Sequence, residues 1–280
     1  MSRKLRIWLV IVVLFYAAYK AVEAYGQWGA RQLECNHTQL PADALPGAGP
    51  LRIALISDLH NAQPHFETCV EHTAAAKPDL IVLAGDFIMV DERFRRTRWA
   101  VEGLRKLCRI APVFAILGNQ DYEKQEQVQR VYSTAGVTLL RNQSVDWRTP
   151  SGSLIRITGL GDWNEGDEAP AACMQPAGQG NAPVLLLSHD PESRWLLRSY
   201  AWNLMLSGHT HGGQIANPFT GDYISFRSSM PAGHFRFESG RHVFVSRGVG
   251  STKGMRFFCN PEMNIIDILP AAAPAQEKGL

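Results

Sequence analysis

After residue 50 the chain alternates short apolar runs with polar clusters. Leu51 to Ile56 is a mostly β-branched and aliphatic run that closes on Ser57-Asp58-Leu59-His60. Leu80 to Ala84 closes on Gly85-Asp86, and Val113 to Leu117 closes on Gly118-Asn119-Gln120-Asp121. Helix-like stretches separate them, one from about Phe66 to Ala76, stopped near Lys77-Pro78, and one from roughly Arg93 to Cys108. Strand, helix, strand, helix, strand at this spacing predicts βαβ units and a largely parallel sheet.

The second half changes character. Val137 to Leu140, Leu154 to Thr158, Val184 to Leu187, Leu204 to Leu206, His242 to Val245 and Ile265 to Ile268 read as strands, and among them Glu192 to Arg198 as a helix. Ala169 to Pro183, rich in Gly, Pro and Ala, reads as a surface loop. The pattern predicts one domain over 48–270, a leader over 1–30 and an aperiodic tail over 271–280.

The leader alters the reading of charge. Ile7 to Tyr19 is uncharged and mostly apolar, preceded by Arg3, Lys4 and Arg6. Its length is short for a spanning helix, which needs about 20 residues, and suits a signal peptide cut after Val22-Glu23-Ala24. Lys20 can snorkel, Ala21 to Ala24 prolong the helix, and Trp8, Tyr16, Tyr19, Tyr25 and Trp28 resemble interfacial anchors, which suits a retained anchor. Both readings stand. The basic residues before the segment favour a cytoplasmic N-terminus and an extracytoplasmic domain. The run Ser2-Arg3-Lys4-Leu5-Arg6-Ile7 reads as an ordinary basic n-region rather than a twin-arginine export signal.

The chain carries 28 basic and 26 acidic residues, but residues 1–31 hold five of the former and only one of the latter. The domain is therefore slightly acidic, which argues against nucleic-acid binding through phosphates. Apolar residues at 45% exclude a disordered chain. Cys35, Cys69, Cys108, Cys173 and Cys259 form no CxxC pair, and Cys69 and Cys108 read as buried fillers.

Seven polar residues lie just beyond strand ends: Asp58, His60, Asp86, Asn119, His189, His209 and His211. Ligands in α/β proteins gather at the carboxyl ends of parallel strands. Carboxylates mixed with imidazoles suit Mn, Fe or Zn better than Ca or Mg. His37, His65, His72, His234 and His242 lack this placement and read as ordinary surface or core residues.

Asp-x-His, Gly-Asp, Gly-Asn-x-Asp, an isolated His and Gly-His-x-His occur here in that order. In this the chain resembles the calcineurin-like metallophosphoesterases over about Leu51 to Leu269. Gly208-His209-Thr210-His211-Gly212-Gly213-Gln214 and Arg247-Gly248-Val249-Gly250 give it the flavour of the small bacterial YaeI/YkuE-type phosphodiesterases. The resemblance implies an α/β fold of four layers, two mixed β-sheets flanked by helices. It implies two divalent ions, the first on Asp58, His60 and His211, the second on Asn119, His189 and His209, with Asp86 bridging. Two such cations, about 3.5–4 Å apart, would share a hydroxide that attacks phosphorus in line. Asp121 then reads as an acceptor that orients a ligand.

The family motif has His where this chain has Gln120, and an amide cannot protonate a leaving oxygen. Loss of a general acid typically costs about 10²–10⁴ in rate, least for leaving groups that depart unaided. Gln120 can still donate a hydrogen bond to a phosphoryl oxygen. A relative that cleaves UDP-diacylglucosamine at its pyrophosphate also lacks this His. The resemblance thus implies a hydrolase of phosphodiester or pyrophosphate bonds, with Asp86, Asn119 and Gln120 at the reacting centre and a substrate that can be lipid-linked. The alternatives are a phosphomonoesterase or phosphoprotein phosphatase, and a non-catalytic, metal-retaining homologue that binds a phosphorylated ligand. A UDP-sugar lipid would require the cytoplasmic side, opposite to the orientation favoured above.

Arg247 and Arg256 could hold a substrate phosphate, although a solvated surface position is the expectation for each. Asp162 reads as a turn former or an acceptor behind a ligand. The run Arg93, Arg95, Arg96, Arg98 and Trp99 reads as a solvated helix face, or as a face toward anionic headgroups if the leader stays in a membrane.

Overall fold

Burial on both faces explains why the central strands are almost wholly apolar. In the computed structural model, which describes residues 2–87, 97–180, 182–226, 228–251 and 254–271, two six-stranded mixed sheets pack face to face. The first runs β1 (Glu34–Leu40), β12 (Glu262–Ile268), β2 (Leu51–Ile56), β3 (Leu80–Ala84), β4 (Val113–Ile116), β5 (Thr138–Leu139). The second runs β10 (Gly233–Phe237), β11 (Arg241–Val245), β9 (Leu204–Ser207), β8 (Val184–Leu187), β7 (Leu154–Gly159), β6 (Gln143–Arg148). β2, β3, β4 and β5 are parallel, as are β7, β8, β9 and β11.

Period-two alternation divides the side chains between layers. Ile53, Leu55, Leu80 and Val82 point inward to meet Ile157, Leu185, Leu187, Leu204 and Leu206 of the second sheet. Ala54, Ile56, Ile81 and Leu83 point outward, under α2 (Gln63–Ala76), α3 (Arg98–Ile110) and α4 (Gln125–Ala135). On the far side Leu186, Met205, Val243 and Val245 are covered by Leu160, Leu197 and Trp202. That fourth layer is thin, because the segment expected to be α-helical around Glu192–Arg198 is a 3₁₀ helix, Pro191–Ser199, that starts on the Asp190 side chain and Pro191.

The expected domain start at residue 48 leaves out β1, which pairs in parallel with β12. β1, β6 and β10 are additional to the expected strands, and α4 to the expected helices. The expected helix from Arg93 begins at Arg98 among the described residues; Arg93, Arg95, Arg96 and residues 272–280 lie outside them. α1 (Arg3–Gly29) is long and apolar enough to cross a membrane, and none of its apolar window is buried against the domain. Only its last turn docks, where Gly26 and Gly29 are buried.

Candidate active site

Parallel strands that end together bring their first loop residues together. Asp58 and His60 follow β2, Asp86 follows β3, Asn119 follows β4, His189 follows β8 and His209 follows β9, so the loops of both sheets meet at one end of the sandwich. Backbone bonds tie them: Asp58 N–H donates to Gly85 O at 3.0 Å, His60 N–H to Asp86 O at 3.2 Å, and Gly208 N–H to His189 O at 3.0 Å. Other bonds cross between the sheets. The His189 ring donates to Ala84 O at 2.7 Å, and the His209 amide donates to both Asp58 oxygens at 3.1 Å.

Five of the seven residues sit in the left-handed region: Asp58 (φ 52°), His60 (45°), Asp86 (51°), His209 (67°) and His211 (53°). Such a residue costs on the order of 1–3 kcal/mol and persists where its surroundings dictate it. The glycines of the motifs permit the crowding. A Cβ on Gly208 would lie 2.2 Å from Asp58 Oδ2, and one on Gly118 would lie 2.4 Å from Asp86 Oδ1.

Asp58, His60 and His211 form one buried triad with ligating atoms within 4.8 Å of one another, and Asp58, Asp86 and His189 form a second. The triads share Asp58, whereas the resemblance gives the shared role to Asp86. Asp86 nevertheless faces both, with Oδ2 3.4 Å from His189 Nε2 and 3.8 Å from His60 Nε2. His60 and His211 oppose their Nε2 atoms at 3.0 Å. Asn119 Oδ1 and His209 Nδ1 stand 3.0 Å apart beside the second triad, and His209 Nε2 lies 3.7 Å from Asp190.

These residues fit cations. The Ala84 carbonyl can only accept, so His189 carries its proton on Nδ1 and leaves Nε2, buried and without a hydrogen-bond partner, aimed at the carboxylates. Among the described residues no Lys or Arg forms an ion pair with Asp58 or Asp86, although both are buried. Buried carboxylates that face imidazoles and no Lys or Arg call for a metal or for protons on those histidines.

The electrostatics follow. Burial alone would raise Asp58 and Asp86, but the imidazoles of His211 and His189 for the first, and of His189 for the second, outweigh it and hold both carboxyls below the usual range. Burial alone would lower His189; Asp86 and Asp58 reverse this and lift it well above an ordinary histidine. His211 has less help, and burial takes it down to about 3. Asp121 is fully buried and accepts the amides of Asp86 and Gly118, both at 2.9 Å, so it props the two loops; burial and then Asp86 push it up to about 7. Gln120 is half-buried and gives its backbone amide to Asp86.

The two arginines correct the expectation of surface positions. Arg247 is buried because Glu262 and Glu34 pair with it at 2.6 and 2.7 Å. Arg256 is fully buried, with its guanidinium against the carbonyls of Arg247, Gly248, Gly250 and His211 and 3.0 Å from His211 Nδ1. Neither is free to hold a substrate phosphate. Asp162 is buried with Oδ1 accepting the amides of Asn164 and Glu165, which is the expected turn. The strand pattern does not single out Asp190, and its place directly after His189 is the only sequence signal for it. His234 and His242 stack with their nitrogens 2.7 Å apart, in the strand pair β10–β11.

The calcineurin-like phosphoesterase family model matches residues 51–213. The chain is 33% identical over 236 residues to "Phosphodiesterase YaeI" of Escherichia coli, covering 79% of this chain and 83% of the relative. It is 29% identical over 264 residues to the uncharacterized metallophosphoesterase YkuE of Bacillus subtilis, covering 89% and 92%. It is 27% identical over 284 residues to the UDP-2,3-diacylglucosamine pyrophosphatase LpxG of Chlamydia muridarum, covering 78% and 84%.

Proposed function

Because the chain belongs to the calcineurin-like phosphoesterases, we propose that it hydrolyses phosphodiester or pyrophosphate bonds with the help of two divalent ions, Mn, Fe or Zn. Asp58, His60 and His211 would hold one ion, Asn119, His189 and His209 the other, and Asp86 would lie between them. The observation that carries this reading is the pair of overlapping buried triads, with Asp86 Oδ2 directed at a histidine of each. When bound, the ions neutralise phosphoryl oxygens and make a water acidic enough to attack phosphorus at neutral pH.

The chain's own part is positional. His189 is locked in one tautomer by Ala84, and Asp121 fixes the amide of Asp86. The Gln120 side chain can donate to a phosphoryl oxygen but cannot deliver a proton, which favours substrates whose leaving oxygen is already a weak base and disfavours alkyl monoesters.

α1 supports a site at a membrane. As a retained anchor in a bacterial inner membrane it would leave the domain extracytoplasmic, by the basic residues that precede it. The relative LpxG carries a diacylated substrate in its name, which supports a lipid-linked phosphate ester here.

The test is Mn²⁺-dependent hydrolysis of bis(p-nitrophenyl) phosphate by the full chain in detergent, beside Asp86→Asn. Turnover that disappears in the variant supports the reading. A folded, metal-loaded protein that is inert toward this good leaving group would instead be a metal-retaining phosphate binder.

A further inference from the structure

The end of α1 is docked on the loop whose Arg256 side chain donates to the His211 carbonyl. Gly26 O accepts the Arg256 amide at 2.8 Å, and the Tyr25 ring lies 6.2 and 5.4 Å from the rings of Phe257 and Phe258. A Cβ on Gly26 would meet the Phe257 ring at 2.6 Å and one on Gly29 would meet Arg256 O at 2.3 Å, so only glycine allows the contact. Phe257 in turn bonds Gln214 O and Ala216 N–H, and Ile224 N–H bonds Ile215 O. A continuous ribbon therefore runs from α1 through 256–258 to the segment 214–226, which starts three residues after His211.

This ribbon displays large apolar side chains to solvent. Phe219 and Phe226 are 95% and 97% exposed, and Phe258, Ile215 and Ile224 are also exposed. Phe219 is held out at a turn whose Asn217 side chain accepts the amides of Phe219 and Thr220.

Length decides what faces it. A hydrocarbon core about 30 Å thick takes about 20 helical residues. Counted from Ile7, the first residue past the basic cluster, that number is reached only at Gly26. A spanning α1 must therefore bring its docked turn to the edge of the hydrocarbon. Lys20 and Glu23, which fall inside this count, pair with each other at 2.5 Å. Phe and aliphatic side chains of interfacial segments bury about 5–10 Å into the boundary between headgroups and acyl chains.

We propose that the apolar surface of Ile215, Phe219, Ile224, Phe226 and Phe258, continuous with the last turn of α1, rests in the headgroup layer of a phospholipid bilayer and holds the His211 side of the site at the membrane surface. This rests on the reading of α1 as a retained anchor. It makes the substrate class one presented at headgroup height, reached without leaving the bilayer.

The test is photo-crosslinking of the full chain reconstituted in phosphatidylethanolamine/phosphatidylglycerol vesicles. p-Benzoylphenylalanine replaces Phe219 or Phe226, with Val12 in α1 and Leu154, exposed at the opposite end of the second sheet, as references. Lipid adducts are expected at 12, 219 and 226 and not at 154. Adducts at 12 but none at 219 and 226 overturn the surface while leaving the anchor intact. Adducts to a second protein chain at 219 or 226 overturn the lipid assignment. No lipid adduct at 12 overturns the anchor, and the surface falls with it.

Discussion

The backbone amide of Gln120 donates to Asp86 Oδ1 at 2.8 Å. Residue 120 thus orients the central carboxylate through its main chain, whatever side chain it carries. Gln120→His should keep this bond and add a proton donor. The kcat/KM for dialkyl phosphates should rise, toward the roughly 10²–10⁴ that general acids contribute, while that for bis(p-nitrophenyl) phosphate changes little. Equal gains on both would remove the leaving-group explanation. Metal content should be the same in both proteins.

Metal binding should release protons at neutral pH. Without metal, Asp86 and Asp58 raise His189 well above its ordinary value and so favour its protonated form, yet a ligand must be neutral. Affinity should therefore weaken as pH falls. Calorimetric titration of the EDTA-treated chain with Mn²⁺, in buffers of different ionisation enthalpy, measures the release. Heats independent of buffer would contradict the protonated His189.

Arg256→Met should destabilise the fold and not merely the site. The guanidinium serves the carbonyls of His211, Arg247, Gly248 and Gly250, all on buried loops. Each acceptor left unpaired costs about 1–3 kcal/mol. A large drop in Tm is expected, with partial recovery in Arg256→Lys, whose ammonium reaches fewer of the four. An unchanged melt would mean water takes over these carbonyls.

Glu168 should make stability pH-dependent. Burial, against the hydroxyls of Ser193 and Ser188, pushes its carboxyl up to about 7, from an ordinary value of 4.5. Because the folded value is raised, the contribution is fully present below the unfolded value and is lost as pH rises through about 7. The Tm of Glu168→Gln minus that of the unsubstituted chain should therefore grow from pH 5 to pH 8. A constant difference would place the ionisation elsewhere.

The site was legible because its chemistry lies where the strand pattern changes. Leu80–Ala84 is apolar throughout, so Gly85-Asp86 stands out as its end, and the same holds for His189 after Val184–Leu187. Three of the four edge strands carry no such mark. Glu34–Leu40, Gln143–Arg148 and Gly233–Phe237 are largely polar or half-exposed, since one side of each faces no neighbour strand. α4 buries Val128, Val131, Tyr132 and Ala135, a helical spacing obscured by the glutamines around it. The burial of Arg247 and Arg256 leaves no local pattern for another reason: a buried arginine is defined by its partners, and Glu34 is remote from Arg247 in sequence.

The pairing of β1 with β12 also has a temporal side. Asn36 and Glu262, bonded at 2.7 Å across these strands, are 226 residues apart. At about 5–20 residues per second, a ribosome needs roughly 10–45 s to make the intervening chain. Throughout that interval β1 has no partner, and the β2 edge that β12 will cover stays open to other chains. A nascent chain in this state needs shielding, and one halted before Glu262 forfeits two strands of the sheet, because among the described residues β1 pairs with β12 alone.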